Sequence, residues 1–251
     1  MSLTSKQFRM LRELVHAQCG IDLHDGKQQL LQARLARRLR ATGIDDVDVY
    51  IRKLKEDSNE LVRFLDAIST NHTFFFRESH HFQSLTPRHQ RIWSAACSSG
   101  EEPYSIAIAC LEMGFSPRIV ATDISTRMLE VAQRGIYPME RVRNLPPQML
   151  KKYFKKGYNR WENHVRVKDE LRRCVSFQRF NLIGDTEADG QFDAIFCRNV
   201  LIYFDAPTKE KVVAKLYAAL KPGGLLAIGG AESLNMLSHR FRYVRPSIYL
   251  K

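Results

Sequence analysis

No apolar run in this 251-residue chain reaches the length of a membrane span, and its first residues, MSLTSKQFRML, lack the uninterrupted apolar block of a secretory signal. The expectation is a cytoplasmic protein without direct membrane insertion. Paired cysteines are missing as well. Cys19, Cys97, Cys110, Cys174 and Cys197 are odd in number, widely scattered, and form no CxxC and no cluster with histidine. That usage excludes a disulfide framework and argues against a zinc site. His80-His81 has no metal-ligand spacing, so no metal is expected, and the sequon Asn71-His72-Thr73 matters only in a secreted chain. Also absent is the GxGxxG triplet of a dinucleotide fold. Low-complexity tracts and internal repeats do not occur.

Positive charge dominates what is present. The formal net charge is +12, from 39 Lys+Arg against 27 Asp+Glu. Such a surface suits an acidic partner, whether nucleic acid, anionic lipid or a carboxylate-rich protein, or it simply keeps the chain soluble. With 44% hydrophobic residues the chain has ample material for a core.

Residues 1–85 carry apolar positions at helical spacing and predict an all-helical N-terminal domain with its linker. Phe8, Leu11, Leu14 and Val15 make the first stripe, with Thr4 as N-cap and Gly20 just past the end. In a second helix, about 27–42, Leu31, Leu35 and Leu39 share one face while Arg34, Arg37 and Arg38 lie beside it. Further helices are expected near 46–55 and 59–68. Residues 86–251 change character. Short apolar runs at 91–96, 118–124, 192–198 and 225–230 alternate with helical periodicity, the pattern of an α/β domain whose parallel sheet is covered on both faces. Lys221-Pro222-Gly223-Gly224 is read as a helix stop and turn before the last of these strands. The basic stretch at about 140–180 is expected to be an inserted small antiparallel β-subdomain, with strands at Val165-Arg166-Val167 and Val175-Ser176-Phe177.

Ligands of open α/β sheets sit beyond the C-terminal ends of the strands. After the first strand comes Cys97-Ser98-Ser99-Gly100-Glu101-Glu102-Pro103, a small-residue turn expected to open a helix at Pro103; after the second comes Asp123, placed to accept hydrogen bonds from both hydroxyls of a ribose. Where a pyrophosphate-binding fold has glycines, this loop has Ala96, Ser98 and Gly100 and ends in two glutamates. Two carboxylates repel phosphates and suit a cation, a preference that a sulfonium with an ammonium group, as in S-adenosylmethionine, satisfies.

Four motifs, in order, extend this reading: Ser69-Thr70-Asn71-His72-Thr73-Phe74-Phe75-Phe76-Arg77-Glu78; Trp93-Ser94-Ala95-Ala96-Cys97-Ser98-Ser99-Gly100-Glu101-Glu102-Pro103-Tyr104-Ser105; Ala121-Thr122-Asp123-Ile124; and Phe192-Asp193-Ala194-Ile195-Phe196-Cys197-Arg198-Asn199-Val200-Leu201-Ile202-Tyr203-Phe204. Together they resemble the CheR family of chemotaxis receptor methyltransferases over nearly the whole chain. The resemblance implies a Rossmann-like class I methyltransferase domain behind a small all-helical domain, with S-adenosylmethionine as cofactor and S-adenosylhomocysteine as product. It implies cofactor contacts from Asn71, Thr73, Arg77, Glu102, Asp123, Asn181, Leu182, Arg198 and Asn199, with Arg77 and Tyr203 catalytic. Either glutamate of the 101–102 pair could face the ligand; Glu102 is favoured. Glu78 figures only as an ordinary salt-bridge partner for Arg77, and Cys97 is given no chemistry. The stretch between Phe82 and Arg91 looks shorter than the family's.

The implied reaction esterifies glutamate side chains in the helical region of methyl-accepting chemotaxis receptors, which gives Arg34, Arg37 and Arg38 a use as an acidic-helix docking face. A monomer is expected. Two other readings stand beside it. An RNA or DNA methyltransferase suits the charge, but Arg198-Asn199-Val200-Leu201 has no Asn-Pro-Pro-Tyr-like motif for a flipped base, and nucleic acid is not the expected partner. A non-catalytic S-adenosylmethionine-binding adaptor is disfavoured by the presence of both Arg77 and Tyr203.

Overall fold

The computed structural model describes residues 3–69, 71–185 and 190–251; Thr70, within the first motif, lies outside them. Helices α1 (Ser5–Cys19), α2 (Gln28–Thr42), α3 (Val47–Glu56) and α4 (Ser58–Ile68) form the N-terminal domain. Thr4 caps α1 in a reciprocal capping box with Gln7, and Asp46 and Asp57 cap α3 and α4 through backbone N–H groups. The inward faces close a core around Leu11, Leu31, Leu35, Tyr50 and Phe64. Gly20 ends α1 at φ +72°, and a Cβ there would stand 2.9 Å from Ile183 and 3.0 Å from Thr208 of the following domain, so glycine serves both the helix end and the close approach.

The second domain holds strands β1 (Arg91–Ala95), β2 (Arg118–Asp123), β3 (Ile136–Pro138), β4 (Phe154–Lys156), β5 (His164–Val167), β6 (Val175–Arg179), β7 (Phe192–Cys197), β8 (Leu220–Ile228), β9 (Arg242–Arg245) and β10 (Ile248–Leu250). Its helices are α5 (Glu101–Glu112), α6 (Thr126–Arg134), α7 (Met139–Val142), α8 (Pro147–Tyr153), α9 (Asp169–Arg173) and α10 (Ala206–Ala219). The main sheet runs β6-β2-β1-β7-β8-β10-β9, parallel from β6 to β8 and antiparallel at β10 and β9. Strand order reverses between β1 and β7, which opens a crevice at their C-terminal ends. Alternate residues feed two cores: Ile92, Ala194 and Phe196 on one face, Trp93, Ile195 and Cys197 on the other. This is the expected α/β architecture, a Rossmann-like class I methyltransferase sheet behind an all-helical domain.

Three local expectations are corrected. Val175-Ser176-Phe177 belongs to the main sheet, parallel to β2 with Val175 opposite Ile119; the small antiparallel sheet is β3-β5-β4. As an edge strand, β6 is only half covered and so shows the alternation of an antiparallel strand. Lys221–Gly224 do follow the end of α10 and do turn, with Gly223 at φ +74°, but they lie inside β8 rather than before it, as an irregularity where the register against β7 jumps from Phe192–Leu220 to Ala194–Leu225. Helix α5 begins at Glu101 rather than Pro103, after a left-handed Gly100.

The helical domain docks on the β1/β7 crevice. Asp22 N–H donates to the Tyr203 carbonyl at 2.8 Å, Asn181 Nδ2 to the Gln18 carbonyl at 2.7 Å, and His16 meets Asp205 at 2.9 Å. No helix among the described residues is long and apolar enough to cross a membrane.

Candidate active site

A cavity of about 310 Å³ lies where the crevice meets the helical domain. Asn71, Thr73, Arg77, Glu102, Asp123, Arg198, Asn199 and Tyr203 all line it, brought together from the interdomain segment and the ends of β1, β2 and β7. Asn181 and Leu182 do not. Asn181 turns its amide to Gln18 and Leu182 packs in the core beside α10.

The loop after β1 forms the cavity's back wall. Ala96, Ser98 and Gly100 take φ of 62°, 49° and 94°, and a Cβ on Gly100 would lie 2.7 Å from Ala132, so only glycine fits that point. The strained turn directs Ser98 N–H to Asp123 Oδ2 at 2.8 Å, while Ser125 N–H donates to Oδ1 at 2.8 Å. Burial raises the Asp123 pKa against these two donors.

The adjacent glutamates part company. Glu101 is fully buried away from the cavity, accepting from Ser99 Oγ and Arg141, each at 2.6 Å. Glu102 faces the cavity, accepting from Ser94 Oγ at 2.7 Å and from Arg198 Nη1 at 3.1 Å. Burial pushes the Glu102 pKa up, opposed by Arg198. Arg198 in turn reaches Glu78 at 3.2 Å and donates to the Arg77 carbonyl. Arg77 donates to the His72 carbonyl at 2.8 Å and lies over the Phe74 ring; its Nε is 4.0 Å from Glu78. The Tyr203 ring is covered by the Lys27 ammonium 5.5 Å from its centroid.

Two carboxylates that sequence reasoning passed over organise this wall. Glu78, at φ 48°, accepts from Arg198, from Asn199 Nδ2 at 3.3 Å and from Gly230 N–H at 3.0 Å. Burial raises its pKa, but Gly230 N–H, the Arg198 charge and Asn199 outweigh that and hold it below the usual value. Its place beside Arg77 was the only available signal. Glu232 stands behind Asn199, and its glutamate letter among small residues after β8 gave none.

The arginines of α2 divide similarly. Arg38 pairs with Glu60 through Nε at 3.0 Å and Nη2 at 2.7 Å, and Arg34 donates to the carbonyls of Ile68 and Ser69, leaving Arg37 exposed. Their side chains nonetheless line one groove with Arg63 and Arg127, and that groove shares Ser69 and Asn71 with the cavity.

Residues 71–250 match the family described as CheR methyltransferase, SAM binding domain, and residues 6–69 match CheR methyltransferase, all-alpha domain. The chain belongs to the CheR methyltransferase family. Among its CheR relatives are the chemotaxis protein methyltransferase of Salmonella typhimurium, 42% identical over 99% of this chain and 91% of its own length, and chemotaxis protein methyltransferase 2 of Pseudomonas aeruginosa, 41% identical over 98% and 93%. The Escherichia coli chemotaxis protein methyltransferase is 40% identical over 99% and 92%. This CheR chain is therefore an S-adenosylmethionine-dependent methyltransferase, and its cavity fits that cofactor. Ser98 Oγ is buried without a hydrogen-bond partner at the lining, small side chains at 96–98 admit a ligand to the backbone, and the carboxylates of Glu102 and Asp123 face the space a cationic nucleoside needs. No group of three or more His, Cys, Asp or Glu among the described residues is placed to hold a metal ion.

Proposed function

We propose that this chain methylates glutamate side chains in the cytoplasmic helical region of methyl-accepting chemotaxis receptors, forming glutamate methyl esters, and that it acts as a cytoplasmic monomer with no nucleic-acid partner. The observation that carries the reading is the continuity of the arginine-lined groove with the cavity at Ser69 and Asn71, a path suited to an acidic helix whose glutamate enters beside Arg77 and Tyr203.

Glu102 and Asp123 would hold the cofactor's cationic and ribose parts, with Asn71, Thr73, Arg198 and Asn199 around it. Bound there, S-adenosylmethionine supplies an electrophilic methyl group on its sulfonium. A glutamate, with a reference pKa of about 4.3, arrives already ionised at neutral pH, so the cavity needs no general base. Arg77 orients the incoming carboxylate by charge-assisted hydrogen bonding, and the Tyr203 hydroxyl donates to it and limits its rotamers. Phe74 and the docked helical domain exclude water from the nucleophile. Arg37 and Arg63, both exposed on the groove, steer the acceptor.

The test is transfer of radiolabelled methyl from S-adenosylmethionine to receptor-containing membranes, read as base-labile methanol, beside a nucleic-acid control. Base-labile label on receptor is the expected result; label on nucleic acid would move the assignment to that substrate, and binding without transfer would leave an adaptor. Arg77→Ala is expected to lower turnover about a hundredfold at saturating cofactor.

A further inference from the structure

We propose that Glu232 is a positioning residue for methyl transfer, clipping the turn after β8 onto the turn after β7 so that Asn199 and Tyr203 face the cavity. The inference rests on the reading of Tyr203 given above. Glu232 does not line the cavity and touches neither cofactor nor acceptor positions. The residue is 9% exposed, and its carboxylate receives three backbone N–H groups: Gly229 at 2.6 Å and Asn199 at 2.9 Å on Oε2, Ile202 at 3.1 Å on Oε1. Asn199 and Ile202 stand at the two ends of the four residues that lead directly into Tyr203, and Asn199 is held at φ 58°, a conformation that a non-glycine residue keeps only where its surroundings impose it. Without that acceptor two N–H groups of an irregular turn would be unpaired beside the active site.

The packing on the other side is equally specific. A Cβ on Gly229 would lie 2.5 Å from Asn199 Nδ2 and 2.8 Å from Glu232 Oε2, so the clip leaves no room for a side chain at 229. Gly230 N–H meets Glu78 at 3.0 Å, and Glu78 holds the Asn199 side chain, so the same turn is tied to the cavity wall twice. Burial raises the Glu232 pKa despite its N–H donors.

Glu232→Gln keeps the shape but presents one acceptor oxygen and one NH₂ to three donors. It is expected to lower kcat on the order of tenfold or more at saturating cofactor and acceptor, with the cofactor KM changed less than about threefold. In a Tyr203→Phe background the same change should cost little more, because both act through one hydroxyl. Gly229→Ala, which pries the clip from the opposite side, should reproduce the kcat loss if Glu232→Gln folds poorly. Amide exchange at Asn199 and Ile202 should quicken in either variant. Undiminished kcat, losses that multiply in the Tyr203→Phe background, or unchanged exchange would each overturn the proposal. Failure of the methylation reading is separable, since it would show as no methyl ester from the unaltered chain while exchange still reports on the clip.

Discussion

Each domain sets an arginine against a carboxylate network, partly exposed at Arg38 and buried at Arg198, and the two networks do different things. In the helical bundle Arg38 grips both oxygens of Glu60, and Tyr50 donates to the same carboxylate at 2.6 Å. Burial and Glu60 push the Tyr50 pKa well up, and no edge of the network opens to the cavity. At the sheet, Arg198 is shared between Glu102 and Glu78, its Nε has no partner, and Arg198 and Glu102 both line the cavity. The backbone differs in the same sense. Left-handed φ in the bundle falls on Gly20 and Gly43 at helix ends, whereas around the cavity it falls on Phe76, Glu78, Ala96, Ser98 and Asn199. Among the described residues Asn159, Asn163 and Ser247 share this conformation in turns elsewhere, but no non-glycine residue of the four bundle helices does, so strain of about 1–2 kcal/mol per residue gathers around the cavity and is absent where helices merely pack. A buried charge pair is thus a structural element when it is closed and a binding element when one side is open.

The comparison can be broken most forcefully at Glu60. Glu60→Ala takes the shared partner from the partly exposed Arg38 and from the buried Tyr50 hydroxyl and should cost about 1–3 kcal/mol in urea unfolding, with turnover per folded molecule unchanged; a selective loss of turnover would erase the distinction between the networks. Glu102→Gln should do the reverse, weakening cofactor binding about tenfold by calorimetry with stability unchanged or slightly higher, since burial already disfavours the charge. In the unaltered chain the same raised pKa means that affinity should climb with pH as Glu102 ionises, and then level off. Affinity falling with pH would contradict it.

The smallest effect belongs to the seam between the domains. Asp205 caps α10 and its pKa is lowered to about 2, first by the Thr208 hydroxyl and N–H and then, against slight desolvation, by His16 of α1. Its stabilisation is present above the unfolded carboxyl pKa of about 3.9 and is lost as pH falls toward 2. Asp205→Ala should remove about 1 kcal/mol at neutral pH and flatten acid unfolding in that window.

Much of the site was legible because its residues sit in contiguous motifs at strand ends. Asn71, Thr73, Arg77, Glu102, Asp123, Arg198, Asn199 and Tyr203 meet in one cavity. Asn181 and Leu182 were expected there and lie outside its lining, because the Asn181 amide is taken by Gln18 from a different domain. Glu232 was invisible for a related reason: its partners Asn199 and Ile202 are about thirty residues away in sequence.

Periodicity, capping residues and strand-end motifs determined the element types, the two domains and the family, because each depends on neighbours within a few residues or on motifs that recur as continuous strings. Only the tertiary structure decided which of Glu101 and Glu102 faces the cavity, which α2 arginines turn inward, that β6 lies parallel in the main sheet, and that Glu232 reaches across to Asn199. Those outcomes hang on strand order and on hydrogen bonds between distant loops, and a single buried carboxylate has no local signature of which N–H groups the fold will bring to it.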